Sequence, residues 1–300
     1  MDVLLPRSLD EALEMKASMP HAVPIAGGTD LMVELNFDRK RPEAIIEISR
    51  VPELKVWRRE NGTFFLGAGV TYSQIVRDLP QFRPLIEASR TVGSPQIRNR
   101  ATVGGNLGTA SPAGDALPVL SAYDAEVVIV KAGRRTRRLP FAQFITGPKK
   151  NALAPDELIL GAQWRIVRGP GSFSKIGTRN AMVIALANLC LVVDEDACTV
   201  RVALGSVGPT ILRARDAEAF AAHAMDRAGV WKDPFASLPA KVIEEFGEQV
   251  AAAARPIDDV RGTAAYRGHA CAVLARRALR WALDDRKLTG TGERGNAETR

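Results

Sequence analysis

Two glycine-rich segments that lie far apart in the sequence carry the residue types best suited to binding an anion. The first reads PIAGGTDL at residues 24–31, and the second reads ATVGGN at 101–106, followed by SPAGD at 111–115. A Gly-Gly step lets the backbone adopt positive φ and approach a ligand closely. Consecutive backbone N–H groups in such turns form a concave anion site. We therefore predict that both loops bind one long anionic cofactor, with a dinucleotide diphosphate as the natural candidate.

Cysteines and histidines are too few and too dispersed to predict a metal centre. The chain has three of each: Cys190, Cys198, Cys271, His21, His223 and His269. Three thiols without a C-x-x-C pair cannot supply the four thiolates of an iron–sulfur cluster. Zinc and iron sites need clustered ligands, and disulfide frameworks need more cysteine. We predict no metal site and no disulfide framework, and we expect Cys190 to be a buried core thiol.

The composition is that of an ordinary globular protein. The 300 residues are 46% hydrophobic and 25% charged, which is enough chain for two or three domains with a large core. No apolar run approaches the ~20 residues of a membrane-spanning helix. The first residues lack the basic start and apolar centre of a signal peptide. We expect a cytoplasmic chain without a transmembrane segment.

The net charge of +7 is spread along the chain except for the run RRTRR at residues 134–138. This run follows the apolar strand pattern EVVIV at 126–130 and predicts the tip and return strand of a hairpin. Two interpretations stay open: a solvated edge strand, which charge protects from aggregation, or a patch that docks another subunit. An aromatic content of only 6% disfavours a nucleic-acid-binding module.

The elements that must position the loops are predicted from caps and apolar periodicity. A strand over 22–26 leads into the first loop, where Thr29 or Asp30 caps a helix to about Phe37. Asp115 precedes an apolar helix, so it either caps that helix or bonds a cofactor. Further strands are predicted at 44–48, 64–68 and 156–166, with a β-rich stretch at 125–139. Further helices are predicted after the capping boxes at Ser8 and Thr71 and at 85–91 and 116–122.

The last third of the chain has the pattern of a separate unit. Gly and Pro at 168–171 predict a domain boundary. Apolar runs at 185–193 and 199–204 predict a small antiparallel sheet, followed by helices at 214–225, 241–254 and about 263–283. The final helix is predicted to bury a face made by Tyr266, Ala270, Val273, Leu274 and Trp281. Residues 287–300 are polar and predicted to form a disordered tail.

Five motifs in order resemble the FAD-binding medium subunit of the molybdenum hydroxylases, which include carbon monoxide and xanthine dehydrogenases. The motifs are FLGAGVT at 65–71, NRATVGGN at 99–106, SPAGD at 111–115, FSKIGTRNAM at 173–182 and RGTAAYR at 261–267. The resemblance covers nearly the whole chain. It implies an α+β fold: a two-lobed FAD-binding domain of the vanillyl-alcohol-oxidase (PCMH) type over residues 1–170, with lobes of about 1–55 and 56–170. A small C-terminal domain over 171–286 would contain a three-stranded antiparallel sheet.

The same resemblance implies which residues bind non-covalent FAD between the lobes. Backbone donors to the diphosphate would come from the first loop, and the second loop would hold it from the other lobe. The implied set is Ala26, Gly27, Gly28, Thr29, Asp30, Leu31, Thr102, Gly104, Gly105, Asn106, Thr109, Asp115, Leu160 and Lys175. Many relatives carry other residues in place of Thr29 and Asp30, and many carry His in place of Tyr72. We expect the Asp30 carboxylate to turn away from the phosphates as a helix cap.

The implied role is electron relay within a larger complex. A small partner with [2Fe-2S] clusters would pass electrons to FAD on this chain, which would deliver them to NAD, a quinone or another acceptor. A large partner would hold molybdopterin, and the complex would form a dimer of heterotrimers. The alternative is an autonomous FAD-dependent oxidoreductase of the same fold, although neither glycine loop contains the His or Cys that a covalent flavin anchor needs.

Overall fold

The computed structural model describes residues 1–297, with side chains through Leu288. The chain begins with a small parallel sheet of three strands in the order β1-β3-β2. Its elements are β1 (Asp2–Leu4), α1 (Leu9–Ser18), β2 (Val23–Ile25), α2 (Leu31–Asn36) and β3 (Ala44–Glu47). The hydroxyl of Ser8 accepts a hydrogen bond from the N–H of Glu11 and so caps α1, but the Glu11 carboxylate accepts from the N–H of Arg7, so the predicted capping box forms only in part.

A five-stranded antiparallel sheet forms the centre of the next part, in the order β4-β5-β10-β6-β7. Its strands are β4 (Trp57–Glu60), β5 (Thr63–Gly67), β6 (Glu126–Lys131), β7 (Arg135–Pro140) and β10 (Leu158–Arg165). Between them lie α3 (Tyr72–Asp78), α4 (Arg83–Thr91), α5 (Pro95–Arg100), α6 (Val103–Thr109), α7 (Ala116–Ala122), α8 (Phe141–Phe144), β8 (Ile145–Gly147) and β9 (Lys150–Asn151). Two short 3-10 helices cover Pro52–Lys55 and Ala132–Arg134.

The basic run at 134–138 forms the end of a hairpin and its return strand, as predicted. Strand β7 is the edge of the central sheet and most of its side chains are exposed. Arg134 pairs with Asp10 at 2.8 Å, and Arg137 pairs with Glu157 at 2.7 Å. These ion pairs attach the edge strand to neighbouring segments, whereas a docking role for the run stays a prediction.

The core beside the central sheet is built around an aromatic cluster. Phe64 and Phe82 lie with ring centroids 4.4 Å apart, and Tyr123 stacks on Trp164 at 5.4 Å. All four side chains are buried. Offset and tilted ring contacts of this kind add to the free energy gained from apolar burial.

The C-terminal sheet has four strands rather than the three that the resemblance implies. Its order is β11 (Gly171–Ile176), β12 (Ala187–Asp194), β13 (Thr199–Gly205) and β14 (Leu212–Arg213). The extra strand is only two residues long and pairs with Ala203 and Leu204. So short a strand leaves no alternating pattern that sequence analysis can detect. The helices α9 (Arg215–Arg227), α10 (Ala240–Ala253) and α11 (Ala264–Ala297) follow.

Helix α11 differs from its prediction in both length and buried face. Ala270 and Leu274 are buried as predicted, but Tyr266 and Trp281 are 47% and 43% exposed. The buried face is instead made of Ala270, Cys271, Leu274, Ala275, Ala278, Leu279, Ala282 and Leu283. The helix includes residues 287–297 of the segment predicted to be a disordered tail, while 298–300 lie outside the described residues.

The C-terminal sheet packs directly on helices of the preceding part. The N–H of Phe173 in β11 donates to the carboxylate of Glu87 in α4 at 2.7 Å. Arg213 donates to the carbonyl of Ser121 in α7 at 2.8 Å. The mixture of helices and sheets agrees with the predicted fold class, and the division into domains near residue 170 stays a prediction. Among the described residues, no helix combines the length and apolar character that a membrane span requires.

Candidate functional site

The two glycine loops meet across a cleft of about 680 Å³. They touch closely, because a Cβ on Gly27 would lie 2.0 Å from the carbonyl oxygen of Arg100. Glycine at position 27 is therefore required for the contact between the loops. Apolar side chains complete much of the wall: Ile25, Ile48, Ile97 and Ile159. The cleft thus combines polar groups of the two glycine loops with apolar surfaces that can contact the flat ring systems of a ligand.

The first loop presents a group of free backbone donors. Gly28 has φ of +73°, a conformation that favours glycine, and the loop ends where α2 begins at Leu31. Within the described part of the chain, no atom accepts a hydrogen bond from the N–H groups of residues 27–31. All five residues line the cleft. Unpaired consecutive N–H groups form the kind of cradle that binds phosphate, which supports the prediction for this loop.

The backbone N–H groups of the second loop donate hydrogen bonds to other atoms of the protein. The N–H of Gly104 donates to the carbonyl of Ala68 at 3.0 Å. The N–H groups of Gly105 and Asn106 donate to the hydroxyl and carbonyl oxygens of Thr102 at 3.0 and 3.1 Å. The N–H groups of Gly104, Gly105 and Asn106 are therefore already paired within the protein, unlike those of the first loop. The second loop can instead contact a ligand through its side chains, and its glycines let a ligand come close to the backbone.

Glycines of the second loop have two different roles. A Cβ on Gly104 would lie 2.5 Å from the Cβ of Ala68, so this glycine permits packing against the segment after β5. A Cβ on Gly105 would meet only the hydroxyl of Thr102, at 3.2 Å. Since Gly105 lines the cleft, a side chain there would extend into otherwise open space.

Two buried polar atoms of the cleft wall have no hydrogen-bond partner in the described structure. They are Oδ1 of Asn106 and the hydroxyl of Tyr72. Buried polar groups in proteins are nearly always satisfied, by the protein, by water or by a ligand. Together with the free donors of the first loop, these atoms fit a cofactor that carries both acceptors and donors, as FAD does. Tyr72 is absent from the predicted site, because in the sequence it stands out only as a position where many relatives carry His.

Asp30 joins the two sides of the cleft instead of capping a helix. Its carboxylate makes no hydrogen bond to the backbone of α2, which corrects the expectation. It accepts a hydrogen bond from the hydroxyl of Thr109 at 3.1 Å. The anionic side chain therefore has a partner across the cleft and does not act as a helix cap.

Asp115 and Lys175 form a buried ion pair at one wall of the cleft. Nζ of Lys175 donates to Asp115 at 2.6 Å, and both side chains are less than 8% exposed. Asp115 also accepts from Thr91 at 3.2 Å and from Asn188 at 3.1 Å. Burial raises the pKa of Asp115, and Lys175 counteracts part of this rise. The side chain does not cap α7, and these contacts link the cleft to the C-terminal sheet.

Leu160 is the one predicted site residue that the structure keeps out of the cleft. Its carbonyl accepts a hydrogen bond from the N–H of Ala68 at 2.9 Å. The register of β10 shifts between Ile159 and Gly161, and Leu158 and Ile159 line the cleft instead. A bulge changes which side chains face a surface, and its position is not visible in the sequence.

The rim contains residues that sequence reasoning missed. Lys149, beside β9, pairs with Glu34 of α2 at 2.7 Å, and this hydrogen bond raises the pKa of Lys149. Asn151 donates to the carbonyl of Gly108 at 2.8 Å. The FSKIGTRNAM motif could have drawn attention to Met182, which lines the cleft. No motif covers 149–151, and the described residues contain no group of His, Cys, Asp and Glu arranged to hold a metal ion.

Comparisons of the chain with known proteins indicate the same family. Residues 1–163 match the model of the FAD binding domain in molybdopterin dehydrogenase. The chain is 35% identical over 205 residues to the FAD subunit of nicotinate dehydrogenase from Eubacterium barkeri, an alignment covering 64% of this chain and 68% of that relative. It is 28% identical over 283 residues to the xanthine dehydrogenase FAD-binding subunit of Escherichia coli O157:H7, covering 91% and 92%.

Solved structures agree with this assignment. Carbon monoxide dehydrogenase from Hydrogenophaga pseudoflava, in a form lacking the Mo-pyranopterin moiety, matches with a TM-score of 0.83 and 26% identity. The match covers 95% of this chain and 98% of that one. The resemblance inferred from the motifs is confirmed. The chain belongs to the family of FAD-binding domains in molybdopterin dehydrogenases and is the FAD-binding, oxidoreductase component of such an enzyme.

Proposed function

We propose that FAD lies along the cleft with its diphosphate on the first glycine loop. The observation that carries this assignment is that the N–H groups of residues 27–31, which all line the cleft, have no acceptor among the residues that the structure describes. Backbone donors bind phosphate without requiring a charged side chain. The apolar wall formed by isoleucines suits the flat ring systems at the two ends of the cofactor.

Side chains of the second loop complete the binding site in this proposal. The hydroxyl groups of Thr102 and Thr109 and the amide of Asn106 supply hydrogen bonds from the opposite wall. Asn106 is suited to this role because its Oδ1 is buried and unpaired. Asp115 and Lys175 act mainly by holding the wall in place, since the contacts of Asp115 lie within the protein.

We further propose that the chain relays electrons within a cytoplasmic complex. A small partner with [2Fe-2S] clusters supplies them, a large partner holds molybdopterin, and NAD or a quinone accepts them. Bound FAD supplies the chemistry that couples one-electron and two-electron transfers. The residues of this chain bind and orient the cofactor and set its polar surroundings. A dimer of heterotrimers is the assembly that the family resemblance favours.

Flavin analysis and assays of the isolated chain test this proposal. We expect purified chain to carry about one FAD per molecule, released into the supernatant by acid or heat because no covalent link forms. The isolated chain should not hydroxylate aldehydes or aromatic heterocycles, whereas the assembled complex should reduce NAD or a quinone. Absence of flavin from correctly folded chain, or hydroxylation by this chain alone, would contradict the proposal.

A further inference from the structure

Tyr72 is fixed by its backbone to the second glycine loop. It is the first residue of α3, and its N–H donates to the carbonyl of Ala101 at 3.1 Å. The preceding Thr71 pairs with Thr102 in an isolated β-bridge. Thr71 also forms a capping box with Gln74, which fixes the first turn of the helix. The position of the Tyr72 side chain relative to the cleft is therefore well determined.

The hydroxyl of Tyr72 is buried but unpaired. The side chain is 1% exposed and lines the cleft, yet its oxygen has no hydrogen-bond partner in the described structure. An unsatisfied buried hydroxyl destabilises a protein, because the group has lost its hydrogen bonds to water without replacing them. Phenylalanine would fill the same space without this cost. A ligand that pairs with the hydroxyl would account for its presence.

The surroundings of the Tyr72 hydroxyl favour its role as a hydrogen-bond donor. Burial, with a smaller contribution from the nearby charge of Asp115, raises the pKa of Tyr72, so the phenol keeps its proton in neutral solution. The carboxylate of Asp115 accepts from Lys175, Thr91 and Asn188, and the described structure contains no hydrogen bond between it and the Tyr72 hydroxyl. The hydroxyl proton of Tyr72 is therefore available to an acceptor that enters the cleft.

We propose that the Tyr72 hydroxyl donates a hydrogen bond to FAD bound in the cleft. This inference rests on the proposed location of the cofactor. FAD offers acceptors along its whole length, on the ring, the ribityl chain and the phosphates. Tyr72 is thus a cofactor-binding residue of this chain, and its hydroxyl is satisfied only when the cleft is filled.

Tyr72→Phe in the full-length chain tests this assignment through binding and stability. Apoprotein is titrated with FAD by calorimetry, and thermal unfolding is recorded with and without FAD. We expect the variant to bind FAD about tenfold more weakly, because one hydrogen bond to the ligand is lost. We expect the melting temperature of the apo variant to equal or exceed that of the wild-type apoprotein, because an unsatisfied group has been removed.

Tyr123→Phe is the matched control. Tyr123 is also buried, stacks on Trp164 and lies outside the cleft lining, so its variant should bind FAD with wild-type affinity. Unchanged affinity of Tyr72→Phe would overturn the inference. A lowered melting temperature of its apo form would also overturn it, since the hydroxyl would then have a partner within the protein or in trapped water. Failure of wild-type apoprotein to bind FAD would instead refute the proposed function.

Discussion

Asp115 accepts hydrogen bonds from three side chains that belong to three different elements. Lys175 lies on β11, Asn188 lies on β12 and Thr91 ends α4. A buried carboxylate is tolerated only when it is paired and hydrogen-bonded. The contacts therefore fix the wall of the cleft to the C-terminal sheet. The sequence identified both Asp115 and Lys175, but only the structure reveals that each is the other's partner.

Gly105 offers the cleanest test at the scale of single residues. Gly105→Val should abolish FAD retention while preserving the fold, because the new Cβ would meet only the Thr102 hydroxyl, at 3.2 Å, and the side chain would enter the cleft. Gly28→Val is less informative, since φ of +73° at residue 28 would strain any valine. Flavin content after gel filtration measures retention, and circular dichroism measures folding.

Gly268→Val serves as the control for this substitution. A Cβ at residue 268 would meet no atom within 4 Å, and the residue lies on α11 outside the cleft lining. This variant should keep wild-type flavin content. Full flavin content in folded Gly105→Val protein would show that the second loop does not approach the cofactor as closely as proposed.

At the scale of elements, most features that depend on neighbouring residues were predicted correctly from the sequence. Features that depend on contacts between distant segments were not. The capping box of Thr71 and Gln74 is local, and the structure contains both of its hydrogen bonds. The bulge that turns Leu160 out of the cleft arises from pairing between distant strands. The donors of the second loop are consumed by Ala68 and Thr102, a contact that no pattern within the loop encodes. The motifs thus identified residues that line the cleft, whereas long-range contacts determine which of their polar atoms are unpaired in the described structure.

Helix α11 provides a prediction at this scale. Leu274 and Trp281 both fit an apolar helical face, but Leu274 is 4% exposed and Trp281 is 43% exposed. Leu274→Ala should lower the free energy of unfolding by about 3 kcal/mol, since it leaves a cavity in the core. Trp281→Ala should cost about 1 kcal/mol or less. Urea unfolding of the two variants and wild type measures both values, and the reverse order would contradict this assignment of the buried face.

At the scale of the whole molecule, the core crosses the boundary predicted near residue 170. Phe173, Cys190, Val192 and Ala203 of the C-terminal sheet belong to the same apolar cluster as the aromatic residues beside the central sheet. Every residue of α7 is buried. The family model ends at residue 163. The family model therefore covers only the first part of the chain, while packing joins that part to the rest.

A fragment containing residues 1–170 should consequently fail to behave as an independent FAD-binding unit. Without the C-terminal sheet, Asp115 loses Lys175 and Asn188. The apolar residues that pack against Phe173, Cys190 and Val192 also become exposed to water, which removes hydrophobic stabilisation of the fragment. We expect a fragment that aggregates or unfolds without cooperativity and retains no flavin. Co-expression with residues 171–300 should restore a soluble, flavin-containing complex, which gel filtration and absorbance would detect. A monomeric 1–170 fragment that melts cooperatively and binds FAD with full-length affinity would mean that the two parts fold independently despite their shared core.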